Sequence, residues 1–282
     1  MKIGVSSYSF NQALQSGRET QLSIISKAKE MGFDGIEFVD LDVPQGLTEA
    51  EYASIVREEC EKVGLPVIAY TVSADMLSDS GLDSEVERVC KKADIASVLG
   101  AGCMRHDAAW SVKDYYTFEN ALPVIAKGCR AVNDYASSLG IVTMIENHGY
   151  FCQNSLRVEK IISSVNSVNF GALIDIGNFT CVDENCTDAV RRLLPFAKHI
   201  HAKDFHIKSG SEFNPGRGFF KSGGGNYLRG AVIGQGNVPV YQCVQLIKNS
   251  GYDSFISVEF EGVEDCFYGI EAGLENLRKM SE

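Results

Sequence analysis

The chain has 282 residues and a mass of 30.8 kDa, longer than an average domain and suited to a single α/β barrel, which needs about 250 residues. Twenty-six Lys and Arg against 37 Asp and Glu give a formal net charge of -11, a field that repels a phosphate backbone and argues against nucleic acid as a partner. Hydrophobic residues at 45% and charged residues at 22% supply a large core, and no low-complexity tract appears, so intrinsic disorder is excluded.

The first residues run from Met1 and Lys2 into an apolar segment, Ile3 to Phe10, without a basic region or cleavage site, so no signal peptide is expected there. No apolar run approaches the roughly 20 residues needed to cross a bilayer, and a chain without membrane partners, in the cytoplasm, is expected. Nine cysteines lie in mostly apolar segments with no CxxC pair, which reads as reduced packing residues. Cys181 and Cys186, the nearest pair, leave a redox or metal element open as an alternative.

Short β-branched runs alternate with helical patterns of about 15 residues, which predicts parallel strands joined by crossover helices. Eight strands are expected, near Lys2 to Tyr8, Gly35 to Val39, Pro66 to Thr71, Cys103 to His106, Ile141 to Glu146, Phe170 to Asp175, His199 to Lys203 and Phe255 to Phe260. Thr48 with Glu51, and Ser84 with Glu87, have the spacing of capping boxes at helix starts. Gly32, Gly64, Gly100, Gly140 and Gly251 are placed to end helices. Eight strand–helix units over residues 1–282 predict one domain, a closed (β/α)8 TIM barrel, in preference to an open doubly wound sheet. No GxGxxG follows the first strand, so dinucleotide binding lacks its fingerprint. After strand seven, Phe205 to Gly236 reads as a long loop, and structureless loops of about thirty residues are usually functional.

In such a barrel the active site forms at the C-terminal strand ends. Four consecutive strands end there on a potential ligand: Glu146 after Ile141 to Ile145, Asp175 after Gly171 to Ile174, His201 after Ile200, and Glu259 after Ile256 to Val258. Three carboxylates and an imidazole at one mouth repel unless a cation compensates them. The expected cofactor is one divalent metal ion, Mn²⁺ first, with Mg²⁺, Co²⁺ or Zn²⁺ as alternatives. His106 ends strand four and is read as lining the substrate pocket, with a capped or solvated His as the alternative. His148 and His206, just past strand ends, belong either to pocket or to surface. Glu37 ends strand two as a ligand or a solvated carboxylate. His199 alternates with His201 and is read as pointing to the opposite face. Trp110 either roofs the site or packs.

The sequence resembles the xylose isomerase-like sugar isomerases and epimerases, a superfamily that also contains endonuclease IV. The likeness runs along the whole chain and is most specific in Ile145-Glu146-Asn147-His148-Gly149, Ile174-Asp175-Ile176-Gly177-Asn178, Ile200-His201-Ala202-Lys203-Asp204, Gly234-Gln235-Gly236 and Ser257-Val258-Glu259-Phe260-Glu261. The resemblance implies that Glu146, Asp175, His201 and Glu259 hold the metal, and that Glu146 and Glu259 act as an acid/base pair on opposite faces of the substrate. It also implies a substrate-binding Arg ahead of the Gly-x-Gly turn, best matched by Arg229; Lys203, Asn178 and His148 are further substrate-binding candidates. Asn178 stands where several members carry a His.

The implied activity is a metal-dependent isomerisation or epimerisation: proton removal next to the carbonyl of a ketose or related polyol-ketone. An inosose-type dehydratase would use the same metal site. A nuclease of the endonuclease IV kind lacks ligands here, since the chain has five histidines, and a barrel that only binds a sugar has no need of two carboxylates about one metal. The expected partner is a small sugar or cyclitol, with assembly into a homo-oligomer left open.

Overall fold

The computed structural model describes residues 1–110 and 117–282. Seven strands come first: β1 (Lys2–Ser6), β2 (Gly35–Val39), β3 (Val67–Val72), β4 (Cys103–His106), β5 (Val142–Glu146), β6 (Phe170–Asp175) and β7 (Ala197–Ala202). The chain then makes a small antiparallel sheet, β8 (Asp204–Lys208), β9 (Phe220–Lys221) and β10 (Tyr227–Ala231). It returns as β11 (Phe255–Val258), which pairs in parallel with β7 and β1 and closes an eight-stranded barrel. Around it lie α1 (Asn11–Gln15), α2 (Ser23–Met31), α3 (Glu49–Val63), α4 (Leu82–Leu99), α5 (Phe118–Ser138), α6 (Ser155–Val165), α7 (Cys186–Leu193), α8 (Val240–Asn249) and α9 (Cys266–Ser281). The architecture is the expected (β/α)8 TIM barrel. Among the described residues, no helix is long and apolar enough to cross a membrane.

Strand alternation decides what faces the barrel axis. Ala69, Cys103, Met144 and Leu173 pack against one another in the interior, while the opposite faces join the larger core beneath the helices. Residues i and i+2 of a strand share a face, so two positions further on come Arg105, Glu146 and Asp175, all buried. The apolar floor thus carries a polar layer at the C-terminal strand ends.

Several boundaries differ from the sequence-based expectation. β1 stops at Ser6, whose hydroxyl caps a 3₁₀ turn over Ser7–Phe10, and β7 starts two residues before His199. The Thr48–Glu51 capping box is present, with Glu51 N donating to Thr48 Oγ1 at 3.2 Å and Thr48 N to Glu51 Oε2 at 2.7 Å. The Ser84–Glu87 box is not. Gly81, at φ 89°, makes a turn that a side chain resists, and α4 starts directly after it, which puts Ser84 inside the helix. Glu87 instead pairs with Lys91 at 2.7 Å.

The segment expected as a structureless loop is the β8–β10 sheet, paired from Asp204 opposite Ala231 to Lys208 opposite Tyr227. Its Gly-, Asn- and Ser-rich tip hides two five-residue strands from a reading based on composition. The base of the sheet hangs on Asp204. Its Oδ2 accepts from Gly234 N and Gly236 N, both at 2.9 Å, and its Oδ1 from Phe205 N at 2.8 Å and Val238 N at 3.0 Å. A Cβ on Gly236 would fall 2.2 Å from Asp204 Oδ1, so only glycine fits there. The far end is tied to the loop after β6: Asp183 Oδ1 accepts from Ser222 Oγ at 2.8 Å and Asn226 Nδ2 at 2.7 Å, and Asp183 Oδ2 from Gly224 N at 2.6 Å. Tyr150 OH donates to the Lys221 carbonyl at 2.9 Å.

Candidate metal centre

Glu146, Asp175, His201 and Glu259 end β5, β6 and β7 and follow β11. Each offers one ligand atom, and these four atoms lie within 4.8 Å of one another, all in buried side chains. The spacing follows from parallel strands in register: Glu146 pairs with Leu173, Asp175 with His201, and His201 with Ser257, two residues before Glu259.

Each ligand candidate is held by neighbours. Asp175 Oδ1 accepts from Gly177 N at 2.8 Å and Asn178 N at 3.0 Å, which turns Oδ2 toward the centre. Glu146 receives Asn178 Nδ2 at 2.8 Å on Oε1 and Arg105 Nη2 at 2.6 Å on Oε2. His201 Nδ1 lies 3.3 Å from Glu259 Oε2, and His201 Nε2 lies 2.7 Å from Glu37 Oε1. Lys203 Nζ stands 2.6 Å from Glu259 Oε2 and 3.0 Å from Asp175 Oδ2, with Glu261 at 3.5 Å.

The charges at this mouth are unbalanced. Five buried carboxylates, on Glu37, Asp107, Glu146, Asp175 and Glu259, face two permanent cations, Arg105 and Lys203. Burial pushes the Asp175 carboxyl up to about 7 against the pull of Lys203, with Glu259 and Glu146 adding repulsion. Burial works the same way on Glu259, but Lys203 and His201 outweigh it and hold that carboxyl well below its ordinary range. His201 loses by desolvation and gains more from Glu37 and Glu259, so its pKa is raised well above the ordinary imidazole value. Asp175 Oδ2, Glu259 Oε2 and both ring nitrogens of His201 are buried without an aligned hydrogen bond, as is Glu37 Oε1 beside His201 Nε2. Lone pairs that converge on one point with excess negative charge fit a divalent cation bound through oxygen and imidazole nitrogen.

Asn178 and Lys203, which touch the ligand candidates, also line a cavity of about 390 Å³, together with Tyr8, Trp110, His148 and Phe220. Phe205, Gly218, Phe220 and Gly230 bring the β8–β10 sheet into its wall. His148, Asn178 and Lys203 all line this cavity. Trp110 does border the cavity, its ring edge-on to His148 at 4.6 Å.

Three expectations need correction. His106 does not reach the cavity: it is fully buried, bonded through Nδ1 to the Asp107 carbonyl at 2.8 Å and set 6.1 Å from the Phe170 ring, because its neighbour Arg105 takes the inward position. Arg229 is not among the cavity residues; its guanidinium lies 5.4 Å over the Phe219 ring and 3.8 Å from Glu264, while the next residue, Gly230, faces the cavity. His199 does not point away from His201. Two residues apart on one strand, they share a face, and both reach Glu37, His199 Nε2 at 2.9 Å.

One residue of the site is missed by the sequence reading and another is left open by it. Arg105, inside Met104-Arg105-His106, joins Asp107 at 2.7 Å to Glu146 at 2.6 Å. Glu37, weighed equally as a solvated carboxylate, is fully buried. Their signal is positional: each lies two residues after a small or apolar residue of its own strand, Arg105 after Cys103 and Glu37 after Gly35.

A family model described as xylose isomerase-like TIM barrel matches residues 25–280. An inosose dehydratase of Mesomycoplasma hyopneumoniae (strain 7448) is 22% identical over 259 residues, 84% of this chain and 80% of that protein. Another inosose dehydratase, from Lacticaseibacillus casei, is 25% identical over 138 residues, so the match spans 49% of this chain and under half, 46%, of that protein. Among solved structures, the probable 3-DHS dehydratase involved in petrobactin synthesis in Bacillus anthracis superposes with a TM-score of 0.77 at 17% identity, covering 99% of each chain. A D-allulose 3-epimerase from Methylomonas sp. gives a TM-score of 0.75 at 17% identity over 99% of this chain and 98% of its own. With the model match spanning nearly all of a closed barrel that has its polar layer at the C-terminal strand ends, the chain belongs to the xylose isomerase-like TIM barrel family.

Proposed function

We propose that this protein is a divalent-metal-dependent sugar isomerase or epimerase that removes the proton next to the carbonyl of a ketose or related polyol-ketone. The observation that carries this reading is the convergence of Glu146, Asp175, His201 and Glu259 within 4.8 Å, against Asn178 and Lys203, which line a cavity. A divalent cation held by these four side chains supplies a Lewis acid for the substrate oxygens. Mn²⁺ suits three carboxylates and one imidazole, with Mg²⁺, Co²⁺ or Zn²⁺ as alternatives.

The chain's own residues do the proton work. Glu146, oriented by Arg105 and Asn178, takes the proton from one face of the substrate carbon, and Glu259, oriented by His201 and Lys203, serves the other face. A proton returned to the opposite face gives an epimer; one returned to the neighbouring carbon gives an isomer. Tyr8, Trp110 and Phe220 offer flat apolar faces to a sugar ring and narrow the access of water. His148 and Asn178, both at the cavity wall, are our candidates for hydrogen bonds to substrate hydroxyls. Nine free cysteines support a reducing, cytoplasmic setting.

A second reading is dehydration of an inosose or related keto-cyclitol. The names of the two curated relatives favour it, as does Lys203, an ammonium at the cavity wall beside Glu259. There the abstracted proton is followed by departure of the hydroxyl on the next carbon, which leaves with a proton as water.

The test is a panel of ketoses and inososes in D₂O with Mn²⁺-loaded protein, followed by NMR. Deuterium at the carbon next to the carbonyl with product of unchanged mass formula supports the isomerase or epimerase, and an unsaturated ketone supports the dehydratase. Glu146→Gln and Glu259→Gln are expected to lose about 10²- to 10⁴-fold in turnover. Wild-type rates in variants that keep their metal overturn the acid/base roles.

A further inference from the structure

We infer that Glu37 is a positioning residue that sets which nitrogen of His201 faces the metal centre, an inference that rests on the metal-centre reading above. Glu37 lies in the middle of β2, on the far side of β1 and β11 from β7, and is fully buried. Both of its oxygens lie at ion-pair distance from an imidazole, although Oε1 and His201 Nε2 are not aligned as a hydrogen bond. Oε1 lies 2.7 Å from His201 Nε2, and Oε2 lies 2.9 Å from His199 Nε2. His199 Nε2 also lies 2.9 Å from Ser257 Oγ, which is itself 3.4 Å from Glu37 Oε2. The two imidazoles meet edge to face, with centroids 5.6 Å apart.

A carboxylate accepts hydrogen bonds and donates none. Glu37 therefore selects the His201 form that carries its proton on Nε2 and keeps the Nδ1 lone pair for the centre, where Glu259 Oε2 lies 3.3 Å away. His199 holds the second oxygen, which stops the Glu37 carboxylate from rotating off His201. Among the described ion pairs, Glu37 is the one acidic side chain at His201 Nε2. The arrangement has the form of a carboxylate that orients a ligating histidine and raises its basicity, for which removal of the carboxylate ordinarily weakens metal binding by about 10- to 100-fold. A carboxylate that only balanced interior charge would not care which nitrogen coordinates.

Two measurements decide it. The Kd for Mn²⁺ alone is measured by equilibrium dialysis on wild type and Glu37→Gln, with circular dichroism to check folding. Independently, wild-type protein labelled with ¹⁵N-histidine and loaded with Zn²⁺ is examined by two-dimensional NMR. The expected results are a Kd weaker by about 10- to 100-fold in Glu37→Gln, and a wild-type His201 coordinated through Nδ1 with the proton on Nε2. Coordination through Nε2 overturns the inference, as does a Glu37→Gln Kd equal to wild type. If Glu37→Gln does not fold, the wild-type spectrum still decides. If wild type binds neither Mn²⁺ nor Zn²⁺, the metal-centre reading itself falls and takes this inference with it; tight wild-type binding with an unaffected variant removes only the role of Glu37.

Discussion

The Arg105 guanidinium from β4 lies 2.6 Å from Glu146 of β5 and 2.7 Å from Asp107, so a buried cation holds the side chain proposed as the base. Burial alone would disfavour the Arg105 charge, but Asp107 and Glu146 outweigh it and raise its pKa. Arg105→Ala leaves both carboxylates buried without a counter-charge, and breaking a buried pair in this way costs about 3–5 kcal/mol. Urea denaturation of the metal-free protein measures it, and a loss under ~1 kcal/mol would show that the pair is not needed.

Asp107 carries a pH signature of its own. Burial would raise its carboxyl, yet Arg105, with His148 at 3.0 Å, holds it at about 2 against the ordinary 3.8. Between those values the unfolded chain binds more protons than the folded one. The contribution is therefore complete above the unfolded value and disappears as pH falls through about 2, to the extent of roughly 2 kcal/mol. Thermal melts between pH 5 and 2 should show a steeper acid limb in wild type than in Asp107→Asn, and parallel limbs would refute the assignment.

Asp175 has the opposite sign. Its carboxyl, raised to about 7 from 3.8, makes the metal-free fold less stable as pH rises through that window, because the folded chain holds the proton longer. Asp175→Asn keeps the oxygen that caps Gly177 N and Asn178 N and removes the charge. Its metal-free Tm at pH 8 should exceed that of wild type, whereas Mn²⁺ should stabilise wild type and leave the variant nearly unmoved. A metal-induced Tm shift of equal size in both would remove Asp175 from the centre.

The β8–β10 sheet depends at its outer end on Asp183, whose carboxylate receives Ser222, Gly224 and Asn226. Asp183→Ala should speed amide hydrogen exchange across 209–226 by at least tenfold and raise KM with a smaller change in kcat, since the acid/base residues lie on other elements. Unchanged exchange would mean that Tyr150 and the backbone suffice to hold the sheet.

Strand ends were legible because apolar runs terminating in Glu146, Asp175, His201 and Glu259 carry both the period of a buried strand and the chemistry of a ligand. Counting in twos along β2, β4 and β7 as well finds Glu37 and Arg105 and places His199 beside His201. Those three belong to the interior layer by register, which composition does not display. Arg229 and the Ser84 box misled for a different reason. Spacing along the chain fixes neither the twist of a hairpin nor the point at which a glycine such as Gly81 lets a helix begin. The β8–β10 sheet was hidden because its pairing joins Phe205 to Gly230 across a Gly-rich tip, a contact distant in sequence.

The anchoring of that sheet on Asp204 makes it an exchangeable part. The four amide groups that Asp204 gathers lie at the base, at residues 205, 234, 236 and 238, so residues 209–226 can be shortened, lengthened or grafted from a relative without disturbing β7 or β11. Directed evolution confined to that tip, together with a new contact for Asp183, should shift which ring or chain the barrel accepts while the proton-transfer machinery stays as it is.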